Sequence, residues 1–559
     1  MTDPLRVLIA GGYGTFGGRI VQLLENEPRL SLLVAGRSLK RAGAFVAARR
    51  DAKAALTAVA FDRDADLVAQ LTSLRPDILV DASGPFQAYG DERYRVIEAC
   101  IALGVNYLDL ADGSDFVAGV GAFDAAARAA GVFVLSGVSS FPVLTAAVVR
   151  RLSDGLARVE SIRGGIAPSP YAGVGENVIR AIAGYAGQRV VLRRDGAPAT
   201  GYPFTGHMRF TIAPPGHLPL RNTLFSLVDV PDLRALAALW PEAKTIWMGA
   251  GPVPEILHRA LAAFAWAVRL RLLPTLAPLA PLMHFATNHL RWGEHRGGMF
   301  VAVAVRDVSG REVGRSWHMI AEGDDGPLIP SMAVEALVSK AVEGQFPSPG
   351  ARAAVGDLEL DDYQKLFRGR AIYTGVRDDM PIEAMPLYRR ILGAAWDELP
   401  AEIRTMHTAS AAEGRASVER GTGPLSRLAA WLARFPAAEA DTKVTVRFDV
   451  TPSTETWTRT FGDHRFSSVQ FAGTGRSAYL LCERFGALTF AMALVAGESR
   501  LSLVLRRWRV FGIPLPRWLS PRSIAFEAVD NGRFHFHVEI FHPITGLIVR
   551  YRGWLMPAP

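Results

Sequence analysis

A cluster of glycines directly after the first apolar segment constrains the fold of this chain more than any other feature of its sequence. Arg6–Ala10 is apolar enough for a buried strand, and a helical pattern of apolar residues follows from Ile20. Between them, Gly12, Gly14 and Gly17 have the spacing G-x-G-x-x-G. In a strand–turn–helix unit these glycines allow a tight turn, admit a pyrophosphate against the backbone and let the helix pack closely on the strand.

The alternative to a phosphate site at these glycines is an ordinary corner between a strand and a helix. We expect a dinucleotide site, because the glycines follow a strand and precede a helix whose first N–H groups favour phosphate. The residues that we expect to contact the dinucleotide here are Gly11, Gly12, Tyr13, Gly14, Thr15, Phe16 and Gly17.

The end of the second apolar strand indicates which dinucleotide is bound. Leu30–Ala35 is followed by Gly36, Arg37 and Ser38, where an NAD site usually has an acidic residue for the ribose 2′-hydroxyl. A guanidinium and a hydroxyl suit a 2′-phosphate, and the missing carboxylate removes a charge that would repel it. We therefore predict NADP as the cofactor. The alternative is that Arg37 is a solvated surface cation.

Strands and helices alternate up to about residue 143, which is typical of a doubly wound parallel sheet. We predict a Rossmann domain for residues 1–143, with ligands at the carboxyl ends of its strands. The predicted strands are Arg6–Ala10, Leu30–Ala35, Leu56–Phe61, Ile78–Ala82, Tyr107–Leu110 and Val132–Leu135. Asp62 follows the third strand, and Ser83, Gly84 and Pro85 follow the fourth. We expect these four residues to contact the cofactor as well.

The sequence does not identify a proton donor for hydride transfer. The Tyr-x-x-x-Lys pair of short-chain dehydrogenases is missing from its usual place after the fourth or fifth strand. Candidates are Asp112, Ser139 and Ser140 at strand ends, and Glu176 and His318 from later in the chain. Asp112 equally suits a loop cap, and the apolar strand around His318 favours a packed structural role over a catalytic one. The catalytic residues therefore stay unassigned.

Several segments carry a family resemblance. Asp81–Phe86 reads DASGPF, Tyr107–Gly113 reads YLDLADG, and Pro349–Gly356, shortly after Gly344–Phe346, reads PGARAAVG. These segments resemble the saccharopine dehydrogenase-like NADP-binding proteins, and the resemblance covers roughly the first 375 residues. It implies a Rossmann domain followed by a second α/β domain, at 144–376, with a mixed or antiparallel sheet. The resemblance implies that this second domain binds the substrate and forms the contact of a homodimer.

The resemblance also implies a function. We expect an NAD(P)-dependent oxidoreductase that transfers hydride to or from a small or lipid-like carbonyl or imine. The alternative is a protein without catalysis that senses NADP or binds lipid on a Rossmann scaffold. A cofactor cleft without an assigned proton donor agrees with both.

From residue 384 to 559 the pattern changes to short alternating segments divided by turn signals, which predicts a separate β-rich domain. This tail resembles a domain of unknown function, DUF4166, that is found fused to saccharopine dehydrogenase-like proteins. We predict a closed antiparallel barrel or a strongly curved sheet, since so many strands would otherwise leave exposed edges. Thr408–Gly423 is predicted to be a loop. If the barrel closes, alternate residues point into a lumen, where we expect an apolar ligand.

The composition excludes other classes of protein. The net charge of +8 comes from acidic and basic residues interspersed along 559 residues, which argues against a nucleic-acid groove. Cys100 and Cys482 are the only cysteines and are typical of core thiols in a reducing compartment. We expect no metal, because His535, His537 and Glu539 share one strand face without a second ligand cluster nearby.

The apolar segments bear on where the protein is located. The first is a short strand rather than a signal peptide, and Leu272–Ala286 is too short and too rich in proline to span a membrane. We therefore expect a cytoplasmic protein. Peripheral contact with the inner membrane stays open, because Arg506–Trp518 is cationic and Val253–Leu273 predicts a cationic amphipathic helix. The apolar side of that helix is predicted to be Leu257, Leu261, Phe264, Val268 and Leu272.

Overall fold

Two units make up the chain in the computed structural model, which describes residues 3–307, 309–378, 385–432 and 435–558. One unit comprises Met1–Arg209 and Leu224–Ile372, and the other comprises Phe210–Thr223 and Tyr373–Pro559. The short segment Phe210–Thr223 therefore belongs with the C-terminal residues, which no pattern in the sequence indicated. Each unit is described separately below.

The first unit begins with a parallel sheet covered by helices. Its first six strands are β1 (Leu5–Ala10), β2 (Leu30–Gly36), β3 (Ala55–Ala60), β4 (Ile78–Asp81), β5 (Asn106–Asp109) and β6 (Phe133–Ser136). Its helices are α1 (Thr15–Leu24), α2 (Leu39–Ala47), α3 (Leu67–Leu74), α4 (Arg95–Ala102), α5 (Ser114–Gly119) and α6 (Asp124–Ala130). The spatial order β3-β2-β1-β4-β5-β6 is the doubly wound arrangement that the sequence predicted, and every predicted strand forms within one residue of its bounds.

The central strands of this sheet are buried on both faces. Val7, Leu8 and Ile9 in β1 have no exposed surface, although their side chains alternate between the two sides of the sheet. An uninterrupted apolar segment is therefore required here, because helices cover both faces of a doubly wound sheet. The carboxyl ends of the strands are where polar residues return.

A second, mixed sheet follows in the same unit. Its helices are α7 (Thr145–Ser153), α8 (Glu176–Tyr185), α9 (Asp232–Leu239), α10 (Glu255–Arg269), α11 (Ala280–His289) and α12 (Ile329–Val342). Its strands are β7 (Arg158–Ala167), β8 (Val190–Arg194), β9 (Ala197–Gly201), β10 (His207–Phe210), β11 (Thr223–Leu227), β12 (Thr245–Ala250), β13 (Arg296–Arg306) and β14 (Glu312–Glu322). β12 runs parallel to β7, whereas β13 is antiparallel to both β7 and β14. One hydrophobic cluster contains residues of both sheets, including Val7 and Trp317.

The chain then returns to the first sheet. The remaining elements before the C-terminal region are β15 (Gly350–Ala353), α13 (Leu360–Phe367) and β16 (Ile372–Asp378). β15 pairs in parallel with β6, Gly350 lying opposite Phe133, and so becomes the seventh strand. This strand comes from the range 144–376 that we predicted for the second domain, because the Rossmann sheet recruits its edge strand from later in the chain.

The predicted apolar face of the helix at Val253–Leu273 is right at Val268, which is buried, and wrong at Phe264 and Leu272, which are exposed. In α10, His258, Ala262, Ala265 and Val268 are buried, whereas Phe264 is about half exposed. Close approach explains the choice of small residues, because a Cβ on Gly187 would overlap the carbonyl oxygen of Ala265. The helix therefore packs through two alanines together with His258 and Val268, and most of its large apolar residues lie outside the buried face.

The second unit is dominated by antiparallel strands that close on themselves. Its helices are α14 (Leu387–Leu392), α15 (Ala401–Met406) and α16 (Pro424–Leu432). Its strands are β17 (Ala411–Arg420), β18 (Glu439–Val450), β19 (Glu455–Phe461), β20 (His464–Ala472), β21 (Leu481–Phe485), β22 (Leu488–Ala496), β23 (Arg500–Val510), β24 (Ile513–Pro514), β25 (Arg522–Asp530), β26 (Arg533–His542) and β27 (Gly546–Ala558). Ten of them form the barrel β22-β21-β20-β19-β18-β17-β27-β26-β25-β23, which the pairing of β22 with β23 closes.

The predicted loop at Thr408–Gly423 is wrong, because most of it forms β17. Apart from Val418, the buried residues of this strand are small, and Ala412, Gly414 and Ala416 alternate with exposed Glu413 and Arg415. A Cβ on Gly414 would overlap the carbonyl oxygen of Trp554 on β27. Small residues let the two strands approach closely here. The same residues are typical of loops, and for that reason the sequence did not predict this strand of the barrel.

Two short helices fill space inside the barrel. Leu387, Ile391 and Leu392 of α14 and Ile403 of α15 belong to the same hydrophobic cluster as the inward-facing strand residues, such as Val444. The chain's own side chains therefore occupy space in the lumen where we predicted an apolar ligand, and binding of such a ligand stays a prediction.

Candidate nucleotide-binding site

The glycine loop after β1 has no room for side chains. Gly11 has a φ of +74°, and a Cβ there would lie 2.9 Å from the carbonyl oxygen of Ala82, at the end of β4. A Cβ on Gly12 would lie 2.8 Å from the carbonyl oxygen of Ile9. A Cβ on Gly17 would overlap the carbonyl oxygen of Gly11. The loop is thus pressed against β4 on one side and against α1 on the other, which leaves a cradle of backbone atoms.

Two helix starts meet at this cradle. Gly14 precedes α1 in an extended conformation and offers no capping side chain, and the first turn of α1 carries no acidic residue. Gly175 precedes α8, and a Cβ there would lie 3.0 Å from Thr15 Oγ1. Arg19 of α1 also donates to the carbonyl oxygen of Ala172 at 2.9 Å. The partial positive charge of helix starts and a cradle that any Cβ would fill fit a pyrophosphate.

Tyr13 joins the glycine loop to the end of β2. Its hydroxyl accepts a hydrogen bond from the backbone N–H of Ser38 at 3.1 Å, and a Cβ on Gly36 would lie 2.5 Å from its ring. Ser38 Oγ accepts from the backbone N–H of Arg41 at 3.3 Å, so it caps α2. The Arg41 guanidinium lies 5.0 Å from the centre of the Tyr13 ring, and exposed Arg37 is the first residue after β2. Two arginines and no acid therefore follow β2.

The turn after β4 is held by residues from both parts of the first unit. We call these parts its first layer, the parallel sheet with its helices, and its second layer, the mixed sheet with its helices. Ser83 donates through its N–H and its hydroxyl to Asp81 Oδ1, and its Oγ lies 2.8 Å from the Tyr89 hydroxyl. Asn177 Nδ2, in the first turn of α8, donates to the carbonyl oxygens of Gly84 at 2.7 Å and Ser83 at 3.3 Å. The side chain of Ser83 is therefore engaged within the protein, and the backbone of the turn is held by the second layer.

Asp62 and Pro85 lie in tightly held turns. Asp62 Oδ1 accepts from the N–H of Asp64 at 3.1 Å, and the backbone of Asp62 exchanges two hydrogen bonds with the side chain of Gln70. Pro85 precedes Phe86, which is buried in the first layer. Asp62 thus shapes the turn after β3, and contact of either residue with a cofactor stays a prediction.

A fully buried carboxyl group supports the loops behind this site. Asp109 Oδ1 accepts from the N–H of Ala111 at 2.9 Å, the hydroxyl of Ser136 at 3.0 Å and the N–H of Gly137 at 2.7 Å. Burial raises the pKa of Asp109 to about 7, the three donors oppose the shift, and the charge of Asp81 adds to it. This residue pins the ends of β5 and β6 together, so it is structural support for the loops that follow.

A second pair of carboxyl groups lies where loops of both layers meet. Asp112 accepts from Gln87 Nε2 at 3.0 Å, and Asp229, in the loop after β11, accepts from the Ser114 hydroxyl. Burial raises the pKa of Asp112, and the charge of Asp229 raises it further, while the Gln87 hydrogen bond opposes the shift. Burial likewise raises the pKa of Asp229. Burial raises the pKa of Tyr185 well above its ordinary value, and the charges of Asp112 and Asp229 add to that shift.

The other catalytic candidates have different surroundings. The N–H of Ser139 donates to the carbonyl oxygen of Gly137 at 2.8 Å, so Ser139 lies in the loop after β6, and Ser140 is buried. Glu176 pairs with Arg180 on the exposed side of α8 at 2.7 Å, so the structure does not bring it to Asp112. His318 is fully buried in β14, with Nε2 2.9 Å from Ser316 Oγ.

Three residues of this site were missed as site residues in the sequence. Asn177 opens a helix with a polar start, and that start was the signal available. Asp229 follows β11, a strand that we did not predict. Arg41 lies within a helix, and the residue that it contacts, Tyr13, is distant in sequence. Only the folded chain brings them to the predicted residues.

Two family models match the chain. Residues 7–135 match the saccharopine dehydrogenase NADP binding domain, and residues 399–555 match a domain of unknown function, DUF4166. The N-terminal sheet is thus the part of the chain that matches the saccharopine dehydrogenase NADP binding domain. The match spans the glycine loop, the arginines after β2, Asp81 and Asp109.

Solved structures with related architecture include several dehydrogenases. Apo saccharopine dehydrogenase (L-Glu forming) from Saccharomyces cerevisiae is 14% identical, with a TM-score of 0.48, and the match covers 67% of this chain and 100% of that one. A myo-inositol dehydrogenase from Corynebacterium glutamicum is 11% identical, with a TM-score of 0.32, covering 62% and 91%. GenD2 from gentamicin A biosynthesis, in complex with NAD, is 15% identical, with a TM-score of 0.27, covering 56% and 72%. No curated protein matches the sequence.

The saccharopine dehydrogenase NADP binding domain supports a nicotinamide dinucleotide as the cofactor and an NAD(P)-dependent oxidoreductase as the class of protein. The glycine cradle fits the pyrophosphate of such a cofactor. Among the helices of the described ranges, none has both the length and the hydropathy to cross a membrane.

Proposed function

We propose that the first unit is an NADP-dependent oxidoreductase that transfers hydride between the nicotinamide and a small or lipid-like carbonyl or imine. The observation that carries the proposal is the glycine cradle between the starts of α1 and α8, within a domain matched to an NADP-binding family. Gly11, Gly12, Gly14 and Gly17 would hold the pyrophosphate with their backbone, and the bound cofactor would supply or accept the hydride.

Charge supports NADP rather than NAD. Residues 36–41 contain Arg37, Lys40 and Arg41 and no acid, so a 2′-phosphate would meet cations only. Guanidinium groups bind phosphate through charge-assisted, bidentate hydrogen bonds. In this proposal Arg37 and Arg41 bind the 2′-phosphate, while Ser38 supplies the turn by capping α2.

Asp112 is the proton donor in this proposal. A donor must hold its proton until the substrate takes it, and burial with a neighbouring carboxylate favours the protonated form of Asp112. Asp229 keeps that proton bound by repulsion, and Gln87 orients the carboxyl group. During reduction Asp112 gives the proton to the substrate oxygen or nitrogen, and it takes a proton back during oxidation.

A titration and a substrate screen test the proposal. The purified chain is titrated with NADPH by fluorescence, and NADPH oxidation is then followed by absorbance across a panel of aldehydes, ketones and imines. Binding with turnover of at least one panel member is expected. Binding without any turnover would favour the non-catalytic NADP sensor, and failure to bind NADPH would overturn both functions. The homodimer and the cytoplasmic location stay predictions.

A further inference from the structure

The second unit contains a cavity lined by arginines. It has a volume of about 180 Å³, and its cationic residues are Arg221, Arg476, Arg506, Arg507 and Arg517. Among the described residues that line it, none is acidic. The sequence has no Asp or Glu between Glu498 and Glu527, so the strand and the hairpin that form much of its wall are free of acids throughout. We call this feature the arginine cavity.

A β-bulge aims two of these arginines at the same cavity. Ala491 lies opposite Arg507, and Met492 lies opposite Leu505, so Arg506 is the extra residue on β23. Successive side chains of a regular strand point to opposite faces, and a bulge removes that alternation. Arg506 and Arg507 can therefore both line the cavity although they are adjacent in sequence.

The walls of the arginine cavity are held in place by hydrogen bonds. Arg506, which is buried, donates to the carbonyl oxygen of Pro219 at 3.1 Å. The Trp508 indole N–H donates to the carbonyl oxygen of Pro516 at 3.0 Å. Arg517 reaches back to the carbonyl oxygen of Leu505 at 3.5 Å. The cavity is consequently formed before any ligand arrives, which lowers the entropic cost of binding.

Large apolar side chains stand exposed in the hairpin and turn that carry Pro514, Leu515 and Arg517 of this wall. Phe511 is 82% exposed, Ile513 is 64% exposed and Trp518 is 76% exposed. Phe511 has a φ of +48° in the two-residue turn between β23 and β24, a conformation that an aromatic residue rarely adopts. The two-residue hairpin turn requires a positive φ at Phe511 and Gly512, and it leaves the Phe511 ring exposed on the hairpin that carries Pro514 of the cavity wall.

We propose that this face of the second unit binds the surface of an anionic phospholipid bilayer. The arginine cavity would take a lipid phosphate, and Phe511, Ile513 and Trp518 would enter the boundary between headgroups and acyl chains. Charge complementarity selects this partner, because the face combines arginines with exposed aromatic groups, and no acid is among the described residues that line the cavity. A small soluble anion would account for the cavity but not for the three exposed apolar residues. The proposal does not depend on the oxidoreductase activity of the first unit.

Sedimentation of the full chain with vesicles tests the proposal. Vesicles of phosphatidylcholine alone are compared with vesicles containing about one third phosphatidylglycerol. We expect at least about ten-fold stronger binding to the anionic vesicles, and release by added salt, because each basic residue near an anionic surface adds to the affinity. Equal binding to both vesicles, or no binding to either, would overturn the proposal.

Matched variants separate the two contributions. Arg476→Glu with Arg517→Glu reverses two exposed charges of the cavity, and Arg465→Glu with Arg484→Glu makes the same change on exposed arginines of β20 and β21. Only the first pair should lose the anionic binding. Trp518→Ser should weaken it several-fold, whereas Trp431→Ser, at a residue that is 71% exposed on α16, should not. Equal effects within either matched pair would overturn the proposal.

A soluble-anion arm distinguishes the source of the phosphate. The parent protein is titrated with inorganic phosphate and its tryptophan fluorescence is followed. Arginine-dependent binding of inorganic phosphate without any sedimentation on anionic vesicles would identify a site for a free anion and overturn the membrane proposal. Vesicle binding that also competes weakly with inorganic phosphate supports it.

Discussion

Asp81 and Asp109 lie directly opposite each other at the last residues of β4 and β5. Both are buried, and the charge on Asp81 helps to raise the pKa of Asp109. Two neighbouring strands of the sheet thus end in carboxyl groups that cannot easily both be charged. Their hydrogen bonds go to the loops that carry Ser83 and Gly137, so the pair fixes the position of these loops at the candidate nucleotide-binding site.

The buried carboxyl group predicts a pH dependence of stability. Burial raises the pKa of Asp109 to about 7 from an ordinary value of 3.8, so the folded state holds this proton more tightly than the unfolded state. The free energy of unfolding should therefore fall as pH rises from about 4 to about 7, by up to about 1.4 kcal/mol per pH unit from this group. Asp109→Asn should make that slope shallower in urea unfolding, whereas Asp51→Asn, at an exposed turn, should keep the parental slope. An unchanged slope in Asp109→Asn would contradict the prediction.

Cofactor preference should depend on the arginine after β2. The parent chain should bind NADPH more tightly than NADH, and Arg37→Asp should weaken NADPH binding about 10- to 100-fold through loss of a charge-assisted contact and new repulsion. NADH binding should change little. Arg50→Asp, an exposed arginine after α2, is the control in the same fluorescence titration. Equal affinities of the parent for both cofactors would refute the choice of NADP.

The glycines of the loop should separate into two kinds. A Cβ on Gly14 would meet only the Gly11 carbonyl oxygen, at 3.0 Å, so Gly14→Ala should fold but lose most NADPH affinity. Gly17→Ala should unfold more easily as well, because its Cβ would overlap that same oxygen. Gly43→Ala, where nothing lies within 4 Å of the added Cβ, should bind and melt like the parent. If the Gly14→Ala variant binds NADPH with the parental affinity, the pyrophosphate does not bind at this glycine loop.

Replacement of the proposed proton donor should change catalysis and spare cofactor binding. With any substrate from the screen, Asp112→Asn should lower kcat for reduction about 10²- to 10⁴-fold and leave the Kd for NADPH unchanged. The parental rate should fall as pH rises through the raised pKa of Asp112, and this step should vanish in the variant. Asp115→Asn, at an exposed neighbour, is the control. Retention of the parental pH profile in Asp112→Asn would exclude this residue as donor.

The segment Phe210–Thr223 should stabilise the second unit. Gly216, with a φ of +72°, accepts a hydrogen bond from Ala496 N–H at 2.8 Å, and a Cβ on it would lie 2.8 Å from Ala395 Cβ. Gly216→Ala should therefore cost about 1–3 kcal/mol of unfolding free energy, measured by denaturant titration followed by tryptophan fluorescence. Gly423→Ala has open space around its Cβ and should cost far less. Equal stability of the two variants would show that the segment Phe210–Thr223 does not stabilise the second unit.

Local patterns predicted the Rossmann strands well because each of them is an apolar segment closed by glycine or polar residues, as at Leu30–Gly36. The same reasoning failed at β17, where three of the four buried residues, Ala412, Gly414 and Ala416, are small because the neighbouring strand lies close. It failed again at α10, where contact with Gly187 favours small residues on the buried side. Hydrophobicity predicts burial only where large side chains do the packing.

The candidate site divides along the same lines. Its glycine cradle is contiguous in sequence, and glycine spacing between a strand and a helix was enough to predict Gly11 to Gly17 as candidate site residues. The contacts of Asn177 with the Ser83–Gly84 turn, and the meeting of Asp112 with Asp229, join residues of separate layers. Such contacts depend on how two sheets pack, and one sequence contains no periodicity that reports it.

The placement of β15 has a consequence for how this chain is made. The nucleotide-binding sheet keeps an open edge at β6 until Gly350–Ala353 has been synthesised, roughly two hundred residues later. An unpaired parallel edge is prone to wrong pairing, and long loops slow its completion. The first sheet is completed only after the segments of the second sheet have been synthesised, so we expect the two sheets of the first unit to fold in one cooperative transition.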